Sequence, residues 1–176
     1  MKAEMVEGKG PTFPEPISKP EDIDRLKETL TDELNYFYDS IFETRHRLNG
    51  VVPLFGFSGG PWTLICYMIE GSGPKSYTKI KRWMYEHEEA FSKLVGMLAN
   101  ILSVFLINQI KAGAQMLQLF ESNAGEICLS DFKKFILPAL KTISTNVKEA
   151  FPDVPFLIFP RNGHHLNKSI LSLIHI

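Results

Sequence analysis

Short runs of β-forming residues recur along this chain, and each one is followed by turn residues. The first run, VVPLFGF at 51–57, is apolar on both faces and leads through Ser58-Gly59-Gly60 to Pro61, which favours the first turn of a helix. The runs at 115–121 and 154–159 also end in turn residues. Since helical patterns separate the three runs, the order strand, helix, strand, helix, strand indicates a parallel sheet wrapped by helices.

The spacing of apolar residues predicts helices before and between these strands. A loop is expected over 1–19, because prolines recur there and oppose regular structure. The first helix should begin at Pro20 and turn Leu30 inward, and Thr31 should cap the second. Pro138 should kink the last helix. The further helices are predicted at 62–70, 76–87, 88–112 and 131–150.

A parallel sheet of this kind occurs in doubly wound folds and in eight-stranded barrels. Both bind ligands at the carboxyl ends of their strands. Those ends are predicted at Phe57-Ser58-Gly59, Phe120-Glu121-Ser122 and Phe159-Pro160-Arg161. A complete (β/α)₈ barrel takes about 250 residues, whereas this chain has 176 and shows three readable strands. We therefore expect an α/β fold that is an incomplete part of a (β/α)₈ TIM barrel.

The charge balance argues against broad electrostatic binding of nucleic acid. Lys and Arg number 19, Asp and Glu number 20, and the net charge is −1. Cys66 and Cys128 are too few for a disulfide scaffold, and neither has a His or second Cys at the spacing of a zinc site. The sequence contains no glycine-rich dinucleotide motif and no phosphate loop. We expect neither a nucleic-acid partner nor a metal.

The longest uncharged run, at 94–110, is predicted to be a buried helix. It is shorter than the roughly 20 apolar residues that a bilayer crossing needs, and it contains polar residues such as Asn100 and Gln109. The N-terminal segment MKAEMVEGKGPTFPEP has no apolar stretch of the signal-peptide kind. We expect no membrane association and a cytoplasmic location.

Several polar groups near the predicted strand ends have two interpretations each. Ser58-Gly59-Gly60 either offers backbone N–H groups to an anion or forms a tight turn that admits the next helix. Glu121-Ser122 either binds a polar ligand or caps the next segment. Taken alone, Tyr67 is more often a core aromatic residue with a satisfied hydroxyl. His164-His165 has no third ligand nearby, so we expect no metal there.

Three long segments are more specific than a fold class. They are GKGPTFPEP at 8–16, VPLFGFSGGPWTLICYMIEG at 52–71 and AGAQMLQLFESNAGE at 112–126. Together with IKRWMYEH between the last two, they closely resemble uroporphyrinogen decarboxylases. The strings GF-x-G-x-PWTL and LQLFES are long and specific to that family. The resemblance extends from about residue 5 to about residue 165.

The resemblance implies a (β/α)₈ barrel that removes carbon dioxide from the four acetate side chains of uroporphyrinogen III, giving coproporphyrinogen III. It also implies a cytosolic homodimer that binds this tetrapyrrole and needs no cofactor. Tyr67 and Ser122 match residues whose hydroxyls contact the substrate, and Phe57 and Phe120 match residues that line the cleft. These four are the predicted substrate-binding residues.

The sequence departs from the family pattern in several places. The family's arginine motif, the aspartate that binds the central pyrrole N–H groups and a late Gly-His segment have no counterpart, so we expect no turnover by this chain alone. After His165 the likeness ends, and LNKSILSLIHI lacks the helix and strand that should follow. We expect a partial decarboxylase barrel over 1–165 and an unrelated or truncated tail over 166–176.

Two other functions are compatible with parts of this pattern. A related corrinoid- or coenzyme M-dependent methyltransferase shares the barrel. Such enzymes bind zinc through a His-x-Cys and a distant Cys, and neither Cys66 nor Cys128 has that histidine. The other alternative is a non-catalytic fragment with at most an interaction role.

Overall fold

In the computed structural model, which describes residues 1–8, 10–27, 34–73 and 76–173, the chain begins with an antiparallel hairpin. Its strands are β1 (Glu4–Val6) and β2 (Gly10–Thr12). The expectation of a loop over 1–19 is therefore wrong. Proline is tolerated in this hairpin because each strand has an open edge, where a missing N–H needs no partner.

A short 3₁₀ helix at Pro20–Arg25 follows the hairpin and buries Ile23. It replaces the longer helix that was predicted to begin at Pro20. The residues expected to extend that helix inward and to cap the next one, Leu30 and Thr31, lie outside the described residues.

A three-stranded parallel sheet lies at the centre of the fold. Its order is β3 (Phe55–Gly59), β4 (Met116–Glu121) and β5 (Phe156–Pro160), and Phe120 pairs with Phe159. All three predicted strands are present. The first begins four residues later than predicted, because Val51 and Val52 lie exposed ahead of the sheet.

Helices connect the strands in the crossovers that a parallel sheet requires. In chain order, the α-helices of the described residues are α1 (Asn35–Leu48), α2 (Pro61–Glu70), α3 (Thr78–Glu86), α4 (Glu88–Lys111), α5 (Leu129–Asp131), α6 (Leu137–Ala150) and α7 (Asn167–Leu171). The helices α2, α3 and α4 separate β3 from β4, and they agree with the predicted helices to within a few residues.

The helix predicted over 131–150 is interrupted ahead of Pro138. A π-helical turn at Phe132–Ile136 separates α5 from α6. Pro138 has no N–H to donate to the carbonyl group four residues earlier. The helix accommodates the missing bond with a wider turn that contains one extra residue. The expected kink takes the form of a π turn.

The hydrophobic core lies between the helices and one face of the sheet. Leu117 and Leu119 of β4 point into this core and have no exposed surface. The helical spacing of Trp62, Trp83, Phe91 and Phe105 predicts that all four belong to the core. The first three are buried, whereas Phe105 is only partly buried. Helices α2 and α4 pack against the sheet, and α3 packs against these two helices.

The opposite face of the sheet is exposed to solvent. Because side chains alternate along a strand, this face carries Phe55, Phe57 and Phe159, which are 43%, 55% and 50% exposed. In a closed barrel this face is the interior. The exposure of these large aromatic side chains therefore follows from the incompleteness of the barrel.

By length and composition alone, α4 is apolar enough to cross a membrane. It includes the uncharged run 94–110. Within this fold α4 packs against α6, α2 and β3, and Phe91, Leu94 and Leu106 have no exposed surface. Since the core helix of a folded domain has the same composition, this length is weak evidence for a membrane span.

The segment after His165 folds back onto α6. Leu166 and Ile170 are buried, and the Ser144 hydroxyl donates to the carbonyl oxygen of Leu173 at 3.3 Å. The expectation that no helix follows His165 is wrong, because Leu166, Ile170 and Leu173 recur at helical spacing and bury one side of α7. The boundary predicted at residue 165 stays a prediction.

Candidate functional site

Three phenylalanines form a row across the exposed sheet face, towards the carboxyl ends of the strands. The ring centroids of Phe57 and Phe120 are 6.1 Å apart, and those of Phe120 and Phe159 are 6.0 Å apart. Both pairs meet edge to face, a geometry that aromatic rings prefer. The structure thus brings the two predicted cleft residues together and adds Phe159. We call these three residues the aromatic row.

The predicted hydroxyl donors lie on α2 and in the turn after β4. Tyr67 and Ser122 are both half-buried, and neither hydroxyl forms a hydrogen bond with another described residue. Tyr67 is therefore not the satisfied core aromatic residue that general statistics favour. Both hydroxyls keep their full capacity for a ligand, and their contact with substrate stays a prediction.

Glu121 is buried and caps α2. The N–H of Trp62 donates to Oε1 at 3.1 Å, and the N–H and hydroxyl of Thr63 donate to Oε2 at 2.9 and 2.8 Å. These N–H groups belong to the first helical turn, where no helical partner exists and where the helix dipole favours a negative charge. Of its two interpretations, Glu121 is a cap, but of α2 and not of the segment that follows it.

The approach of Glu121 to α2 is close and depends on glycine. Burial raises the pKa of Glu121 to about 7, and the hydrogen bonds from Thr63 and Trp62 oppose this rise. A Cβ atom at Gly60 would clash with the carboxyl group of Glu121. The turn at Ser58-Gly59-Gly60 therefore admits the helix, and the anion at its N-terminus is the chain's own carboxylate.

Asn123 holds the turn after β4 and was not singled out by its sequence context. Its carbonyl oxygen accepts a hydrogen bond from Trp62 Nε1 at 2.8 Å, and its Oδ1 accepts one from the Tyr77 hydroxyl at 3.0 Å. These partners lie 61 and 46 residues away in the sequence, so no local motif signals them.

Arg161 adds a positive charge at the carboxyl end of β5. Its side chain is exposed and forms no ion pair with any residue that the structure describes. Its backbone N–H donates to the carbonyl of Glu121 at 3.1 Å, which aligns the ends of β4 and β5. Burial raises the pKa of the neighbouring Tyr77 hydroxyl, and the charge of Arg161 acts against that rise.

Metal-ligating side chains do not gather in groups of three or more in the described part of the chain. His165 Nε2 lies 2.8 Å from the carbonyl oxygen of Ile127. Cys66 is buried, Cys128 is exposed, and both are free thiols.

A cavity of about 630 Å³ lies at the other end of the sheet, between α6 and the start of β5. Lys148 and Phe156 line it, and none of the predicted substrate-binding residues does. The ammonium group of Lys148 already donates to the carbonyl oxygens of Pro152 and Val154 at 3.0 and 2.9 Å. This cavity is separate from the polar edge described above.

The parallel sheet, its covering helices and its polar carboxyl edge place this chain in the class of (β/α)₈-barrel proteins. The chain forms part of such a barrel. A solved structure, a methyltransferase from Methanosarcina mazei, matches 98% of this chain and 50% of that chain with a TM-score of 0.73. The two sequences are 14% identical, so this likeness shows the fold alone. The expected incomplete barrel is confirmed.

Within that class the chain belongs to the uroporphyrinogen decarboxylase (URO-D) family, whose model matches residues 1–174. Proteins named uroporphyrinogen decarboxylase from Danio rerio and Homo sapiens are 45% and 43% identical to it over 172 and 171 residues. These matches cover 94% and 93% of this chain and 47% of each relative. The chain thus spans about half the length of the curated relatives it matches, and the predicted family is confirmed.

Proposed function

We propose that this chain forms one half of the substrate-binding cleft of a uroporphyrinogen decarboxylase. The reaction is the removal of carbon dioxide from the four acetate side chains of uroporphyrinogen III, which gives coproporphyrinogen III. The observation that carries the proposal is the aromatic row towards the carboxyl ends of the strands. The unbonded hydroxyl of Ser122 directly after β4, the unpaired Arg161 directly after β5 and the unbonded Tyr67 hydroxyl on α2 support it.

The chemistry of this reaction suits such a surface. Loss of carbon dioxide leaves an electron pair on the side-chain carbon, and a protonated pyrrole ring of the substrate accepts it. The protein then has to hold a polyanionic macrocycle, exclude water and orient one acetate at a time. An aromatic wall suits the ring faces, hydroxyls donate to carboxylates, and Arg161 provides charge-assisted donors.

The proposal involves neither a metal nor an organic cofactor, because the substrate itself accepts the electron pair. Its small-molecule partner is the tetrapyrrole, and the active form is a cytoplasmic homodimer, as the family resemblance implies. The family's arginine motif and pyrrole-binding aspartate have no counterpart in these 176 residues. We therefore expect the chain alone to bind the tetrapyrrole without turning it over.

Titration of the 176-residue chain with uroporphyrin I tests the proposal. This stable, oxidised tetrapyrrole keeps the acetate side chains, whereas coproporphyrin I carries methyl groups in their place. Quenching of porphyrin fluorescence should saturate for uroporphyrin I, and coproporphyrin I should bind more weakly. The absence of saturable binding, or equal affinity for the two porphyrins, would overturn the proposal.

A further inference from the structure

Glu121 joins the two elements that carry the proposed substrate hydroxyls. It ends β4 and directly precedes Ser122, and its carboxylate binds the first turn of α2, the helix of Tyr67. Its three donors, from Trp62 and Thr63, all lie within 3.1 Å. Because the residue is only 1% exposed, water is excluded from these bonds.

The cap of α2 comes from a different element of the fold. A helix commonly receives its cap from the side chain of its own N-cap residue. Here the N-cap residue is Gly60, which has no side chain, and the carboxylate of β4 takes that place. The Glu121 carboxylate thus ties the first turn of α2 to the end of β4, beside the bond from Trp62 Nε1 to the carbonyl oxygen of Asn123.

Helix stability alone does not account for this arrangement. Burying a carboxylate costs free energy unless a cation compensates it. Glu121 is enclosed by hydrogen-bond donors, and no described cation contributes to its electrostatics. A neutral serine or asparagine cap at position 60 would avoid that cost, but Glu121 excludes it, because a Cβ atom at position 60 would clash with the carboxyl group.

We propose that Glu121 is a positioning residue for substrate binding, a role that rests on the function proposed above. Its carboxylate fixes the first turn of α2 against the end of β4, and this sets the Tyr67 hydroxyl relative to Ser122. Thr63 and Tyr67 are four residues apart and lie on the same side of α2, so a shift at Thr63 is carried to Tyr67. Glu121 itself does not touch the substrate, because its oxygens are enclosed by their donors.

Affinity for uroporphyrin I and thermal stability, measured side by side on the 176-residue chain, separate positioning from ordinary structural support. Glu121→Gln keeps the side-chain shape but turns an NH₂ group towards an N–H donor. Thr63→Val removes the hydroxyl at nearly constant shape, whereas Thr63→Ser keeps it. Two controls complete the set: Val147→Ala in the buried core of α6, and Glu89→Gln on the exposed surface of α4.

Above pH 7, where Glu121 is ionised, Glu121→Gln should raise the Kd for uroporphyrin I about tenfold or more under conditions where the protein stays folded. Thr63→Val should raise it about threefold, since one of the three donors is lost. Thr63→Ser and Glu89→Gln should keep the wild-type Kd. Val147→Ala should melt at a lower temperature and yet bind as the wild type does.

Wild-type affinity in Glu121→Gln, or equal weakening in Val147→Ala at a matched loss of stability, overturns the positioning role and leaves the proposed function standing. If Glu121→Gln does not fold, the two Thr63 variants decide, and equal affinities of Thr63→Val and Thr63→Ser contradict the inference. Failure of the wild-type chain to bind uroporphyrin I overturns both proposals.

Discussion

The side-chain amide of Gln109 on α4 forms two hydrogen bonds with the backbone of Phe57 on β3. The N–H of Phe57 donates to Oε1 at 2.9 Å, and Nε2 donates to the carbonyl oxygen of Phe57 at 3.0 Å. Along a strand of a parallel sheet, successive residues direct their backbone groups alternately to one side and to the other. The N–H of Gly60 donates to the carbonyl oxygen of Phe120 on β4, so the backbone groups of Phe57, three residues earlier, face away from β4. Gln109 therefore closes the outer edge of β3 at the first residue of the aromatic row.

Replacing Gln109 by leucine should lower the free energy of unfolding by about 1–3 kcal/mol, because both backbone groups of Phe57 lose their partner. Asn100→Leu, an exposed change on the same helix, should shift it by less than about 0.5 kcal/mol. Urea unfolding followed by circular dichroism measures both values. Equal effects of the two substitutions would show that the amide does not support the edge of β3.

Strand positions followed the sequence pattern only where a pairing partner allowed it. For β4 the prediction of 115–121 was only one residue too long. It came this close because turn residues bound the strand on both sides. For β3 the high β-propensity of Val51 and Val52 misplaced the start. The strand begins at Phe55 because Phe55 is the partner of Met116, where β4 begins. At the start of β3, the β-propensity of Val51 and Val52 was thus overridden, because the neighbouring strand β4 begins only at Met116.

The sequence placed Phe57 and Phe120 at the ends of predicted strands, and the family resemblance implied that both line the cleft. The structure brings their rings to 6.1 Å, and their contact with substrate stays a prediction. The construction of the candidate site could not be predicted. The contact of Glu121 with Thr63 spans 58 residues and exists because α2 starts directly above the end of β4. No pattern in the local sequence encodes that placement, and the same holds for Asn123.

The buried carboxyl group of Glu121 should make stability depend on pH between about 4.5 and 7, its ordinary and its raised pKa. In this window the folded protein holds the proton and the unfolded chain releases it, so the free energy of unfolding falls as the pH rises. The total loss contributed by this group is about 3 kcal/mol, complete somewhat above pH 7. Urea unfolding at intervals from pH 5 to 8 measures it.

The matched control for this dependence is Glu121→Gln, which cannot titrate at position 121. Its free energy of unfolding should fall less steeply over the same pH range, while the other carboxyl groups contribute equally to both proteins. Parallel pH profiles of the wild type and the variant would contradict the raised pKa of Glu121.

The Tyr67 and Ser122 hydroxyls should affect binding more than folding. Tyr67→Phe and Ser122→Ala each remove a hydroxyl with little change in packing, and each should weaken uroporphyrin I binding by about 1.5–3 kcal/mol if the hydroxyl donates to a carboxylate. Since neither hydroxyl bonds to another described residue, the melting temperature should change little. Fluorescence titration beside a thermal melt checks both. Unchanged affinity with lowered stability in both variants would remove these residues from the site.

Arg161 should contribute to binding through its charge and hardly at all to stability. Its guanidinium is exposed and has no ion-pair partner among the described residues, so Arg161→Gln should leave the melting temperature unchanged. The same change should raise the Kd for uroporphyrin I about fivefold at low salt, and this difference should shrink above about 0.1 M salt, where exposed charges are screened beyond roughly 10 Å. Lys111→Gln removes an equal charge at the end of α4, on the opposite side of the sheet, and should have little effect. Equal weakening by both substitutions would mean that overall charge, and not a cation at the carboxyl edge of the sheet, attracts the tetrapyrrole.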